Sequence, residues 1–120
     1  MIWKSLLILA VSTTAAHASG NAATGASVFQ RCAICHSNAK GGPALIGPDL
    51  FGVVGRKAGT FPGFFYSPAM KASGLTWTPD QLQAFIVAPA KVVPGTKMDF
   101  DGATDADAKV IVAYLASLKS

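Results

Sequence analysis

Residues 32–36 read Cys-Ala-Ile-Cys-His, and the interpretation of the whole chain starts from this stretch. On one turn of helix, two thiols three positions apart project to the same side, and a histidine follows directly. This C-x-x-C-H pattern is the attachment sequence of a c-type haem. The two thiols can reach the two vinyl groups of one porphyrin, and His36 can then supply an imidazole to its iron. We therefore predict one haem c, covalently bound through Cys32 and Cys35, with His36 as an axial ligand.

Residues 1–18 are predicted to be a secretory signal peptide. Lys4 supplies a positive charge, residues 5–11 (SLLILAV) form an apolar run, and residues 16–18 (Ala-His-Ala) have the small-x-small pattern of a cleavage site. The apolar run is too short to cross a bilayer, which takes about 20 residues. We expect cleavage after Ala18, a single domain over residues 19–120, a periplasmic location and no stable membrane span. An uncleaved membrane anchor is the competing interpretation.

The charge of the chain restricts its partners. Ten basic and six acidic residues give the 120-residue chain a net charge of +4. Loss of Lys4 with the signal peptide leaves nine basic and six acidic residues, a net charge of +3. The basic residues are spread along the sequence, which argues against binding to nucleic acid. A mildly positive surface suits steering toward an acidic patch on a protein, so we expect a monomer that meets redox proteins.

Three other roles for the two cysteines agree less well with the sequence. A thioredoxin-like C-x-x-C lies beside a βαβ pattern, and the sequence suggests no strands here. A structural zinc takes four ligands, whereas His36 is the one histidine after the signal peptide, so carboxylates would have to complete the set. A plain disulfide leaves His36 without a role.

The second axial ligand is predicted to be a methionine, because a thioether raises the reduction potential of haem iron and suits electron transfer. Two methionines follow the signal peptide, Met70 and Met98. Met98 ends the sequence Val93-Pro94-Gly95-Thr96-Lys97-Met98, in which proline and glycine favour a rigid turn. Met70 lies in Ser67-Pro68-Ala69-Met70-Lys71 and is expected to pack on a short helix. Met98 is the predicted ligand and Met70 the alternative.

Further motifs flank residues 32–36 in order: Gly47-Pro48-Asp49-Leu50, Gly55-Arg56-Lys57, Gly63-Phe64-Phe65-Tyr66, Leu75-Thr76-Trp77 and Pro94-Gly95-Thr96-Lys97-Met98. Together they resemble class I cytochrome c, the monohaem electron carrier of mitochondria and bacteria. The resemblance runs from Gly25 to Leu118. It implies the all-α class I cytochrome c fold, in which helices and long loops wrap around one covalent haem.

The resemblance also implies roles for residues around the haem. The backbone carbonyl of Pro48 is implied to accept a hydrogen bond from His36. Further contacts to the haem or its propionates are implied for Arg56, Tyr66, Trp77, Thr96 and Phe100. Phe100 is implied to cover the haem edge where partners dock, with Lys91 and Lys97 at its rim. Two residues depart from the resemblance: Phe85 stands where a tyrosine is common, and Met70 where an asparagine is common.

Local patterns predict three helices. Asn21 or Thr24 is expected to cap a first helix that leads into residues 32–36. Thr78 is a predicted N-cap whose capping box Gln81 completes, and the last helix is predicted to begin at Thr104. The resemblance implies that the first and last helices cross.

Residues 41–73 are rich in glycine and proline and have neither helical nor strand periodicity. A loop of this length is unusual in a compact domain unless it wraps something other than protein. We therefore expect the haem to complete a core that the chain alone cannot build.

The function predicted from these features is one-electron transfer with both axial positions of the iron filled. By resemblance, the partners are a quinol–cytochrome c oxidoreductase, a terminal oxidase, a photosynthetic reaction centre or a periplasmic dehydrogenase. Two alternatives stay open at this point. One is a haem enzyme or ligand sensor with a labile sixth site, and the other is an electron-donor subunit bound permanently to one enzyme.

Overall fold

Helices and loops without strands make up the part of the chain that the structure, a computed structural model, describes: residues 17–120, with side chains from residue 21 onward. The helices are α1 (His17–Val28), a 3-10 helix (Phe29–Arg31), α2 (Pro68–Ala72), α3 (Pro79–Val87), α4 (Pro89–Val92) and α5 (Asp105–Ser117). In this range no strand forms, and one isolated antiparallel bridge joins Lys57 to Thr76. The all-α class predicted from the sequence is confirmed.

The start of α1 differs from the prediction. The helix begins at His17, so Asn21 and Thr24 lie within it and neither is its cap. Alanine is the strongest helix former, and its frequency in the sequence HASGNAATGASV extends the helix past both candidates. Of the predicted signal peptide, residues 1–16 lie outside the described part of the chain.

Residues 32–36 continue the helical backbone that α1 and the 3-10 helix begin. The amide of Cys32 donates to the carbonyl of Phe29 at 2.7 Å, and the amide of His36 donates to the carbonyl of Cys32 at 2.9 Å. The helical turn expected for the two thiols and the imidazole is therefore present.

The later helices begin where the sequence predicts. The Thr78 hydroxyl accepts from the amide of Gln81 at 3.2 Å, and the Thr104 hydroxyl accepts from the amide of Asp107 at 3.1 Å. The capping box is incomplete, because the amide of Thr78 donates to the carbonyl of Thr76 at 2.7 Å and leaves Gln81 no return bond to make. The predicted N-cap at Thr78 is confirmed, but the return hydrogen bond from the Gln81 side chain to the amide of Thr78 is not.

The first and last helices cross closely, as the resemblance implies. At Gly25 an added Cβ would overlap the carbonyl of Val110 and would lie 2.8 Å from the Cβ of Tyr114. One turn later the rings of Phe29 and Tyr114 are 5.1 Å apart between centroids. Phe29 and Ile111 are almost fully buried, so this crossing forms one side of the core. Helix α3 packs against α5 and supplies Leu82, Phe85 and Ile86 to the same core.

The segment from residue 37 to residue 67 has no helix and is held by backbone hydrogen bonds to later parts of the chain. The amide of Gly55 donates to the carbonyl of Trp77, and the amide of Trp77 donates to the carbonyl of Arg56, each at 2.8 Å. The amide of Gly52 donates to the carbonyl of Leu118 at 2.8 Å. These bonds hold the rim of the loop in place, and side chains of the loop such as Leu50, Val53 and Tyr66 line a cavity.

Between residues 17 and 120, no helix is both long enough and apolar enough to span a membrane.

Substitution of Gly25 by alanine tests the helix crossing. The added methyl has no room, so we expect the free energy of unfolding to fall by about 1–3 kcal/mol, measured by guanidinium denaturation of the purified protein. Thr24→Ala, on the exposed side of the same helix, is the control and is expected to change it by less than about 0.5 kcal/mol. Equal effects of the two substitutions would contradict the close approach of α1 and α5.

Candidate cofactor site

A cavity of about 400 Å³ lies between the loop, α3, α5 and the turn before residue 98. Its wall is mostly aliphatic and aromatic, which is typical of sites for large cofactors. All ten residues proposed from the sequence as cofactor or metal contacts line it: Cys32, Cys35, His36, Pro48, Arg56, Tyr66, Trp77, Thr96, Met98 and Phe100. The fold therefore brings together residues from six separate stretches of sequence.

The two cysteines are half-buried and unpaired at one end of this cavity. Burial raises the pKa of the Cys32 thiol, although the neighbouring charge of Arg31 partly offsets the effect. A raised pKa disfavours the thiolate, which is the reactive form in disulfide exchange. This environment, together with the absence of strands in the described residues, disfavours the thioredoxin-like interpretation.

The imidazole of His36 has a fixed orientation. Its Nδ1 lies 2.7 Å from the carbonyl oxygen of Pro48, which can only accept, so Nδ1 carries the proton and donates. Burial lowers the pKa of His36, while the hydrogen bond to Pro48 and the charge of Asp49 oppose that shift. The ring is therefore neutral at physiological pH, and its Nε2 keeps a lone pair for a metal. The hydrogen bond implied by the resemblance is present.

Gly47 is a site residue that the sequence argument missed. A Cβ at this position would lie 2.7 Å from Nδ1 and 2.8 Å from Nε2 of His36, so only glycine lets the backbone pass the ring. The amide of Gly47 also donates to the carbonyl of Cys35 at 2.8 Å. The backbone at Gly47 thus forms one wall of the slot that holds the imidazole. The glycine before Pro48 was the available signal, but a sequence does not show what its missing side chain avoids.

Arg56 anchors the loop as well as lining the cavity. Its Nη1 donates to the carbonyl of Asp49 at 2.9 Å, and its Nη2 donates to the carbonyl of Phe51 at 2.7 Å. The guanidinium also lies over the ring of Phe61, with the central carbon 5.2 Å from the centroid. Burial lowers the pKa of Arg56, opposed by Tyr66 and Asp49. Arginine remains charged throughout, so this side chain brings a positive charge to the cavity wall.

Asp49 is a second residue whose role the sequence did not predict. Its side chain is almost completely buried, and Oδ1 accepts a hydrogen bond from the amide of Phe51 at 3.2 Å. The carboxylate is near enough to influence both His36 and Arg56. It therefore lies close to both the imidazole and the guanidinium, inside the folded chain.

Met98 lies at the end of the predicted turn. The amide of Thr96 donates to the carbonyl of Val93 at 2.9 Å, and the Thr96 hydroxyl accepts from the amide of Met98 at 3.3 Å. Gly95 has a φ of +92°, and a Cβ added there would lie 3.1 Å from the Cβ of Ala69, so the turn passes close to α2. Met70, as expected, is a buried residue of a short helix, and it lines the same cavity. Both methionines therefore face the same space.

Three further aromatic residues, Tyr66, Trp77 and Phe85, also line the cavity. The Tyr66 hydroxyl accepts from the amide of Phe61 at 3.0 Å, and burial raises its pKa. The rings of Trp77 and Phe85 are 4.9 Å apart between centroids, so Phe85 occupies the wall without offering a hydroxyl. Lys97 lines the cavity, whereas Lys91 does not: it lies along a surface groove beside Asp80 and Asp105.

The donor set fits haem c better than zinc. Among residues 21–120, no group of three or more His, Cys, Asp or Glu side chains is arranged to hold a metal ion, so the zinc interpretation lacks its ligands. Two thiols, an imidazole and a thioether line one apolar cavity. Arg56 lines it as well and can pair with a carboxylate of a bound cofactor. These are the groups that a covalent haem with propionates and two axial ligands takes.

Comparisons with known proteins agree with this chemistry. The family model for cytochrome c matches residues 22–119. The cytochrome c2 of Rhodoblastus acidophilus is 47% identical over 102 residues, which cover 84% of this chain and 95% of that protein. Cytochrome cH from Methylobacterium extorquens superposes with a TM-score of 0.75 at 43% identity, covering 80% of this chain and 97% of that one. Cytochrome c2 from Rhodospirillum centenum gives a TM-score of 0.79 at 34% identity, covering 82% and 98%.

Substitution of Gly47 by alanine tests the slot around His36. The methyl would displace the ring or the backbone, and we expect the free energy of unfolding to fall by about 1–3 kcal/mol in guanidinium denaturation followed by circular dichroism. Leu45→Ala, at an exposed position of the same loop, is the matched control and should change little. If alanine is tolerated at both positions, His36 is not held in the way described.

Proposed function

This chain belongs to the cytochrome c family, as an electron carrier that holds haem c, and we propose that it works in the periplasm as a diffusing shuttle between redox proteins. The single observation that carries the proposal is that the thiols of residues 32–36, their histidine and a loop methionine line one cavity. The chain carries electrons and is not an enzyme.

We propose that Cys32 and Cys35 form the two thioether bonds, with Nε2 of His36 and the sulfur of Met98 as the axial ligands. When bound, the haem supplies one-electron chemistry through the ferrous and ferric states of its iron. The bond from Nδ1 of His36 to Pro48 supports this role, because it fixes the ring and makes Nε2 a better donor. The turn at Thr96 supports the role of Met98 by holding its backbone before the ligand binds.

Arg56, Tyr66 and Trp77 are proposed to face the propionates. All three line the cavity, and the two nitrogens of Arg56 already occupied by backbone carbonyls leave its charge and remaining donors available. A fixed positive charge lowers the cost of burying a carboxylate. Thr96 and Phe100 are proposed to contact the haem from the side of Met98.

The proposed periplasmic location depends on the signal peptide over residues 1–18. The sequence features that support it are the charge at Lys4, the apolar run and the small residues before Ser19. Partners that suit a periplasmic carrier are a quinol–cytochrome c oxidoreductase, a terminal oxidase, a reaction centre or a dehydrogenase. We propose that the protein is a monomer and that it dissociates from each redox partner after the two have met.

Purification from the periplasm of a host that matures c-type cytochromes tests the leader. We expect the protein to begin at Ser19, measured by intact mass and amino-terminal sequencing. Ala18→Lys should block cleavage, and Ala22→Lys, beyond the cleavage site, should leave the mature terminus unchanged. Retention of residues 1–18 in the purified wild-type protein would contradict the proposed leader and favour a membrane anchor.

The ligands are tested by spectroscopy of the mature protein. We expect haem staining to persist after denaturation in the wild type and to be lost in a Cys32→Ala/Cys35→Ala variant. The far-red absorption band of methionine bound to ferric iron should be present at neutral pH, vanish in Met98→Ala and persist in Met70→Ala. Loss of the band in Met70→Ala alone would reverse the ligand assignment, and its absence from the wild type would remove the filled sixth site.

A further inference from the structure

We propose that Ala69 is a positioning residue for Met98, because helix α2 lies between the loop at Gly59 and the turn at Gly95 and sets where that turn stands. The proposal rests on the proposed function, since it takes Met98 as the axial ligand. Ala69 does not line the cavity, so it acts on the ligand through the turn.

The methyl group of Ala69 faces the turn that precedes Met98. A Cβ built on Gly95 would lie 3.1 Å from the Cβ of Ala69, and this is the one atom of the described residues, beyond the sequence neighbours of Gly95, that it would meet within 4 Å. Carbon atoms in ordinary contact are about 3.5–4.0 Å apart. The space between α2 and the turn therefore has no room for a further carbon.

The other side of α2 is also in close contact with backbone. A Cβ built on Gly59 would lie 3.1 Å from the Cα of Lys71 and 3.4 Å from the carbonyl oxygen of Met70. Successive residues are about 100° apart around an α-helix, so residues 69 and 71 lie on nearly opposite sides of α2. The helix is therefore held between two stretches of chain, each of which approaches it at a glycine.

Hydrogen bonds at both ends keep α2 rigid. Its N-cap, Ser67, is buried, and the Ser67 hydroxyl accepts from the amide of Met70 at 3.1 Å. After its last residue, the Ser73 hydroxyl donates to the carbonyl of Met70 at 2.8 Å. Pro68 occupies the first helical position and restricts the backbone there. This five-residue helix therefore acts as a spacer of constant width.

The loop at Gly59 is anchored to a different part of the chain. The amide of Ala58, which is buried, donates to the carbonyl of Leu75 at 2.8 Å. The Thr60 hydroxyl donates to the carbonyl of Lys57 at 2.6 Å. Because these bonds fix the loop, a larger side chain at residue 69 moves the turn rather than the loop.

Hydrogen bonds within the turn fix its shape but not its distance from α2. The amide of Thr96 donates to the carbonyl of Val93 at 2.9 Å, and the Thr96 hydroxyl accepts from the amide of Met98 at 3.3 Å. Neither bond reaches α2. The contact between Ala69 and Gly95 sets that distance, and with it the position of the Met98 backbone relative to the cavity.

External imidazole is the probe, because it competes with Met98 for the sixth position of the ferric iron in the mature holoprotein. Its apparent affinity rises in proportion to the fraction of protein in which the thioether is off the iron. Loss of the far-red band measures binding. We expect Ala69→Val to raise the affinity for imidazole about tenfold, which corresponds to about 1.4 kcal/mol, because two added carbons do not fit against Gly95.

Ala72→Val is the matched control, because Ala72 is an exposed residue of the same helix. It should change the affinity for imidazole by less than about twofold. A second pair, Ala69→Gly and Ala72→Gly, removes the methyl group at each position with the same loss of helix propensity. We expect a rise of about threefold in Ala69→Gly, where the turn loses its support, and no rise in Ala72→Gly.

Equal affinity for imidazole in the two valine variants would overturn the proposal. Should Ala69→Val fail to mature with haem, equal affinity in the two glycine variants would overturn it instead. Guanidinium denaturation followed by circular dichroism is measured on the same samples. A role of Ala69 in folding alone would lower the denaturation midpoint and leave the affinity for imidazole unchanged, which would also refute the proposal.

Failure of the proposed function gives a different result. A wild-type protein without bound haem, or without the far-red band, would refute ligation by Met98 itself. A normal band in the wild type, together with the same affinity for imidazole in all four variants, would refute the role of Ala69 alone.

Discussion

The hydrogen bond from Nδ1 of His36 to the carbonyl of Pro48 is the constraint on which the rest of the site depends. It selects the tautomer and sets the direction of Nε2. It also requires the chain after residue 36 to turn back within twelve residues and pass the ring edge-on. That return is possible only because Gly47 has no side chain to place against the imidazole. The two ends of this short loop are then locked together by the bond from the amide of Gly47 to the carbonyl of Cys35.

Around the fixed ring of His36, the packed helices support the site and the loops form much of the cavity wall. The crossing of α1 and α5 places the helical turn of residues 32–36 at one end of the cavity, and α3 adds the wall that carries Phe85. The long loop contributes charged side chains rather than a helix: Asp49 is buried, and Arg56 lines the cavity. The opposite wall depends on the turn at Thr96. Rigid local structure thus surrounds the cavity, and the cofactor fills what the side chains leave open.

Local chemistry explains why most of this arrangement was predictable. The caps at Thr78 and Thr104 need information from three or four neighbouring residues, and both are present. The predicted ligand set rests on C-x-x-C-H and on the proline–glycine turn before Met98, which are also short-range patterns. The predicted start of α1 was wrong, because a run of small residues continues the helix past Asn21 and Thr24. Gly47 and Asp49 escaped prediction for a related reason: their roles exist only between segments distant in sequence.

The anchor at Arg56 has a consequence for how such chains can diverge. Both of its acceptors are main-chain oxygens, those of residues 49 and 51, so the bonds survive any change of side chain at either position. The donor, Arg56, cannot vary in the same way, because no other residue type presents two parallel N–H donors on one rigid plane. Descendants of this sequence can therefore vary the residues being held while the residue that holds them stays an arginine.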